Sequence, residues 1–130
     1  MAGRYWRLIG HYDSETNAYT GCAGALQTSP YTPDASGRLR GLRAIVGRTA
    51  ATTLTDAIQF RLTCTTFNPN TIHAAAVGTG LQTAPAFPAP VIDFDVDQMV
   101  QAGVPITIEG RNSNASGVSN DLLLFGLFES

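Results

Sequence analysis

Residues 57–67 read Ala-Ile-Gln-Phe-Arg-Leu-Thr-Cys-Thr-Thr-Phe. Ile58, Phe60, Leu62 and Cys64 alternate there with Gln59, Arg61, Thr63 and Thr65. A strand sends successive side chains to opposite faces, so this pattern predicts a segment that buries one face and wets the other. The same rhythm returns at Ile92, Phe94, Val96 and at Val104, Ile106, Ile108. No stretch of comparable length carries a helical repeat of apolar residues. The expected fold is all-β, an antiparallel β-sandwich.

Outward from that segment the chain divides into about eight strands. The first covers roughly 4–12 and is rich in aromatics; a weaker one covers about 18–26. Pro30, Pro33, Asp34, Ser36 and Gly37 make 28–38 a loop by composition. A third strand runs over about 39–50, and the fourth is 57–67, closed by Asn68-Pro69-Asn70. Residues 71–90 are the least regular: Ala74–Val77 suits a short strand or a helical turn. Pro85, Pro88 and Pro90 then impose an extended connection poor in ladder bonds. Strands at about 91–97 and 104–110 follow, the second entered at Pro105; 111–120 is a polar hairpin loop, and 121–128 is the last strand. Short strands separated by Gly/Pro turns mean a sandwich or barrel, and eight in 130 residues fit a jelly roll. A chain of this length reads as one domain, residues 1–130, able to build a core without staples.

The last strand differs in kind. Leu122, Leu124 and Phe128 point one way while Leu123, Phe125 and Leu127 point the other. A strand apolar on both faces must be covered on both. Either it is central with a loop or helix across its outer face, or a second subunit lies there.

Charged residues make up 14% of the chain, all eight basic residues are Arg, and three Glu stand beside no Lys. Protein interfaces deplete Lys and Glu and favour Arg and aromatics, so neighbours are expected to cover much of this surface. A high-GC genome produces the same bias. Residues up to 61 sum to +3 and those from 62 to −5, a polarity suited to head-to-tail contacts. No apolar run reaches the roughly 20 residues needed to cross a bilayer. The N-terminus has no secretory signal pattern, so synthesis in the cytoplasm is expected.

No chemical motif stands out. Asp93, Asp95 and Asp97 start like an EF-hand loop, but its sixth and twelfth positions are Gln98 and Val104 instead of Gly and Glu. A solvated or arginine-facing acidic stripe is the expectation. His11 and His73 have no metal-ligand spacing, Cys64 is read as a buried thiol in mid-strand, and a Cys22–Cys64 disulfide stays open. Neither a P-loop nor a nucleophile elbow is present. Arg38, Arg40, Arg43 and Arg48 form the one basic cluster; with net charge −2 it suits a neighbouring subunit's carboxylates better than a nucleic acid. Tyr5, Trp6, Tyr12, Tyr19 and Tyr31 are expected in core and interface packing; the alternative is a carbohydrate-stacking surface, although alternation puts Tyr5 opposite Trp6 and Tyr12. Asn114-Ala-Ser116 matches a glycosylation sequon, which is expected to mean little without a secretory route.

The strand layout of Gly41–Val46 with Ile58–Leu62, and of Val91–Val96 with Ile106–Gly110 and Leu124–Phe128, resembles the single jelly-roll structural proteins of viruses. That resemblance covers about half the chain and rests on no family-specific motif. It implies a non-enzymatic, cofactor-free subunit that packs against copies of itself and other capsid proteins in a virion. Loops make the contacts in such proteins, here 28–38 and 68–90. The absence of a basic arm sets this chain apart from capsid proteins that bind the genome directly. The expected contact residues are Arg38, Arg40 and Arg43, then Pro85, Phe87 and Pro88 of the connection, and Leu123, Phe125 and Leu127 on the last strand.

Overall fold

The computed structural model describes residues 3–14, 18–22, 24–48, 57–77, 91–112 and 120–130. They form eight strands and no helix: β1 (Arg4–Ser14), β2 (Thr20–Gly21), β3 (Gly37–Arg48), β4 (Ala57–Thr63), β5 (Thr71–Val77), β6 (Val91–Val100), β7 (Thr107–Asn112) and β8 (Asn120–Glu129). The first sheet has the order β1-β8-β3-β6 and the second β2-β7-β4-β5. The pairs β1–β8, β2–β7, β3–β6 and β4–β5 are all antiparallel. Those are the pairings of one long hairpin whose two arms fold over together, sending alternate strand pairs to opposite sheets.

Inner faces of both sheets meet in one core. From β8 it takes Leu122, Leu124 and Phe128, from β3 Leu39, Leu42 and Ala44, from β4 Phe60 and Leu62, and from β7 Ile108, each at most 2% exposed. Each large side chain in that layer contributes about 1.5–3 kcal/mol relative to exposure. Phe60 meets Phe94 of β6 edge-on at 5.7 Å between ring centres, which joins the two sheets. Tyr12 of β1 lies across Gly110 of β7, where a Cβ would stand 2.5 Å from the ring. Only glycine lets the sheets come this close.

Several boundaries differ from the sequence reading, each for a local reason. The expected strand at 18–26 pairs only over Thr20–Gly21. Cys22 N still donates to Ile108 O, but Gly24 N donates to His11 O at 2.9 Å, so the chain leaves the second sheet and crosses onto the edge of the first. β4 ends at Thr63 because Cys64 N turns to Asn70 O and Phe67 N to Cys64 O. Cys64 therefore sits in a turn, not in mid-strand, with its Sγ 3.1 Å from Thr66 Oγ1. Both cysteines are free and buried, so they form no disulfide. Residues 71–77 are a strand and not a helical turn. β7 begins at Thr107 and not at 104, because Val104 N closes a turn onto Gln101 O with Gly103 at φ +82°, the type II geometry that favours glycine. β3 starts at Gly37 inside the expected loop, and Arg111 and Asn112 remain in β7.

The turn after β4 is tied to the opposite sheet. Thr66 Oγ1 donates to Met99 O at 2.6 Å, and the Gln98 amide accepts from Asn68 N and donates to Asn68 O. These bonds join the sheets at one end of β6.

Candidate functional site

β8 is central in the first sheet, and its odd residues face outward. The ladder sets Trp6 opposite Leu127 and Leu8 opposite Phe125 on one side. On the other side Phe125 faces Arg43 and Leu123 faces Ile45, which in turn faces Val91 of β6. Leu123, Phe125, Leu127, Leu8 and Ile45 are half-buried, while Trp6 and Val91 are 39% and 54% exposed. The result is an apolar band across the outer face, with a shallow depression of about 200 Å³ between Trp6, Arg43, Ile45 and Phe125. Antiparallel sheets ordinarily turn a polar face outward, so this band is the anomaly of the molecule.

One flank is covered by the chain itself. Residues 24–26 pass over His11, whose Nδ1 accepts from Leu26 N at 3.1 Å, leaving the imidazole 6% exposed on the outer side of β1. The centre of β8 receives no such cover from the described residues. Of the alternatives posed by its two apolar faces, the central position holds, and among the described residues a loop covers the adjoining β1 flank.

Arginines and carboxylates frame the band. Arg43 Nε and Nη2 donate to the two oxygens of Asp93 at 2.8 and 3.1 Å, and its guanidinium carbon lies 4.5 Å from the centre of the Trp6 ring. A bulge at Arg40 shifts the β3 register between Leu39 and Gly41. Arg38 Nε donates to Asp97 at 2.6 Å, and Arg40 links Asp97 to Glu129 at 3.0 Å each. Arg4 Nε donates to the other Glu129 oxygen at 2.6 Å. The Arg4 hydrogen bond, with that of Arg40, holds the Glu129 carboxyl below its ordinary range; Arg38 does so for Asp97 and Arg43 for Asp93. The acidic stripe therefore faces arginine at two of its three positions, and the described partners of Arg38, Arg40 and Arg43 belong to this chain. The space beside Gly37 is filled by the chain's own Glu129 backbone.

The structure brings Leu123, Phe125, Leu127 and Arg43 together on one face and sets Arg38 and Arg40 at its rim. Pro85, Phe87, Pro88 and the 114–116 sequon lie outside the described residues. Trp6, Leu8, Ile45 and Val91 join the band although sequence reading did not place them there. Alternation in residues 4–8 and 42–46 carried that signal, but only strand order shows which faces adjoin. The five aromatics form no shared platform. Tyr12 is in the core at 1% exposure, as core packing of these aromatics expects, and so cannot serve a stacking surface. Tyr5 and Tyr31 stand 6.0 and 5.7 Å from Phe128. Trp6 lies on the first sheet, and Tyr19 lies on the second beside Arg61 and Arg111.

No helix among the described residues is long and apolar enough to cross a membrane. No protein-family model matches the chain, and no curated protein matches it in sequence.

Proposed function

We propose that this chain is a non-enzymatic structural subunit of jelly-roll type that assembles with copies of itself into a virion or capsid-like shell. The observation that carries this reading is the apolar band on β8 and its neighbours, an outer sheet face composed like an interface core. The strand order supports the fold assignment: alternate pairs of one folded hairpin, in two four-stranded sheets, are the layout expected of a jelly roll. Composition adds to it, since a surface without Lys and with Arg as its sole base matches interface usage.

In mechanism, the sandwich supplies a rigid plate whose own ion pairs hold Arg4, Arg38, Arg40 and Arg43 flat around the band. A neighbouring copy removes Trp6, Phe125, Leu127 and Val91 from water. The test is light scattering and electron microscopy of the purified protein over a wide concentration range. Oligomers or particles are expected, and Phe125→Asp should dissolve them while leaving the β-sheet spectrum intact. A wild-type protein that stays a monodisperse monomer throughout would overturn the proposal.

A further inference from the structure

The outer face of the second sheet carries a different constellation. Arg61 of β4 donates through Nε to Glu109 Oε1 of β7 at 2.8 Å, which uses that carboxylate. One step along the ladder Gln59 faces Arg111, and Arg111 Nε donates to Gln59 Oε1 at 2.7 Å. The Tyr19 ring lies over both arginines, with guanidinium carbons 4.2 and 4.4 Å from its centre. His73 of β5 approaches the same ring from the side at 6.4 Å. Tyr19, Gln59, His73, Ala74 and Arg111 line one open depression of about 380 Å³.

We infer that this depression is a binding site for a single carboxylate group, held by the outer edge of the Arg111 guanidinium. A guanidinium presents five donors in a rigid fork, and a carboxylate matches two of them at once. Gln59 fixes the inner donor and Tyr19 backs the plane, so the Nη atoms are oriented before any ligand arrives. Among the described residues they meet no carboxylate. The local balance of Arg61, Arg111 and Glu109 is +1, which suits a monoanion rather than a dianionic phosphate. His73 and the free face of the Gln59 amide stand where neighbouring hydroxyls of a ligand would reach them. The carboxylate can come from a simple organic acid or from an acidic sugar, and the test separates the two.

The experiment is arginine footprinting with phenylglyoxal, read by peptide mass spectrometry on the intact protein in whatever assembly state it adopts. Acetate, glucuronate and methyl glucoside are added in turn. Arg7 is the internal control, because it too meets no carboxylate among the described residues but does not line the depression. Acetate and glucuronate should each slow modification of Arg111 at least fivefold at saturation, with Arg7 unchanged and methyl glucoside without effect. Saturation by glucuronate at tenfold lower concentration than acetate assigns the site to acidic sugars, and equal concentrations assign it to simple carboxylates. Gln59→Ala, which frees the fork but keeps the charge, should reduce the protection at least threefold. Protection of Arg111 no greater than that of Arg7 overturns the inference, as does protection indifferent to Gln59→Ala.

Discussion

The two outer faces of this sandwich answer the same structural demand in opposite ways. Each must present residues between those that build the shared core. The second sheet turns out Gln59, Arg61, Thr63, His73, Thr107, Glu109 and Arg111, an ordinary solvated face. The first turns out Trp6, Leu8, Ile45, Leu123, Phe125 and Leu127, with Arg43 set among them opposite Phe125. Core formation needs only one apolar face per sheet, so folding alone does not require the second on β8. That surplus is the physical reason to expect a partner on the first sheet, whereas any ligand of the second is drawn by the Arg111 fork alone.

The inner layer sets the scale against which both faces are judged. Phe60→Ala should cost about 3–5 kcal/mol, since it removes a fully buried ring and its edge contact with Phe94. Gly110→Ala should cost about 1–3 kcal/mol, because the new methyl is driven into the Tyr12 ring and the sheets must part. Urea denaturation of each variant measures both. A neutral Gly110→Ala would mean that the sheets are not held at the spacing that brings Tyr12 over β7.

Acid should act on the first sheet through its frame. Asp93, Asp97 and Glu129 are held below their ordinary values of 3.8, 3.8 and 4.5 by Arg43, Arg38 and Arg4. A carboxylate whose folded pKa is depressed contributes stability that is present above its unfolded pKa and is lost as pH falls through the folded one. The expected loss therefore begins below about pH 4.5 and deepens as these groups protonate. Thermal midpoints between pH 6 and pH 2 should show it, and Glu129→Gln with Asp97→Asn should flatten that slope. These are exposed pairs screened by solvent, so the effect is small beside that of Phe60.

Thiol chemistry distinguishes interior from surface. Burial, with Glu109 nearby, pushes the Cys22 thiol up to about 12, so at neutral pH it is protonated and inert. Native protein should react with a thiol reagent at Cys22 only at the rate of unfolding, and denatured protein at once. Rapid reaction of the native state would show that the β2 region opens locally.

How much of this was legible in sequence depends on how local each cause is. β4 announces itself because Gln59, Phe60, Arg61 and Leu62 alternate strictly, and their burial follows that alternation. β5 does not, because Ala74-Ala-Ala looks alike on either face. The second strand read too long because the signal for leaving the sheet is a hydrogen bond from Gly24 to His11, thirteen residues apart. Both apolar faces of β8 were visible in 122–128, whereas the band they join required the β1-β8-β3-β6 order. Arg40 reaches Asp97 and Glu129 by way of a bulge that no periodicity encodes. The meeting of Tyr19 with Arg61 and Arg111 joins residues 42 and 92 positions apart and was invisible.

The smallest expected effect on folding is also the sharpest test of the comparison. Phe125→Thr converts the centre of the first outer face to the composition of the second, at a position that is only half-buried. Threonine suits a strand, so backbone preference does not oppose the change. If the band merely coats the sheet of a lone molecule, the variant loses part of a ring's contacts with Leu8 and Arg43, and its assembly state matches the wild type. If the band is an interface core, folding stability at low concentration moves by less than about 1 kcal/mol, while association weakens at least tenfold because a central apolar anchor is gone. Sedimentation equilibrium beside urea denaturation reads the two quantities separately. A variant that loses stability and keeps its association would return the apolar surplus on β8 to the monomer.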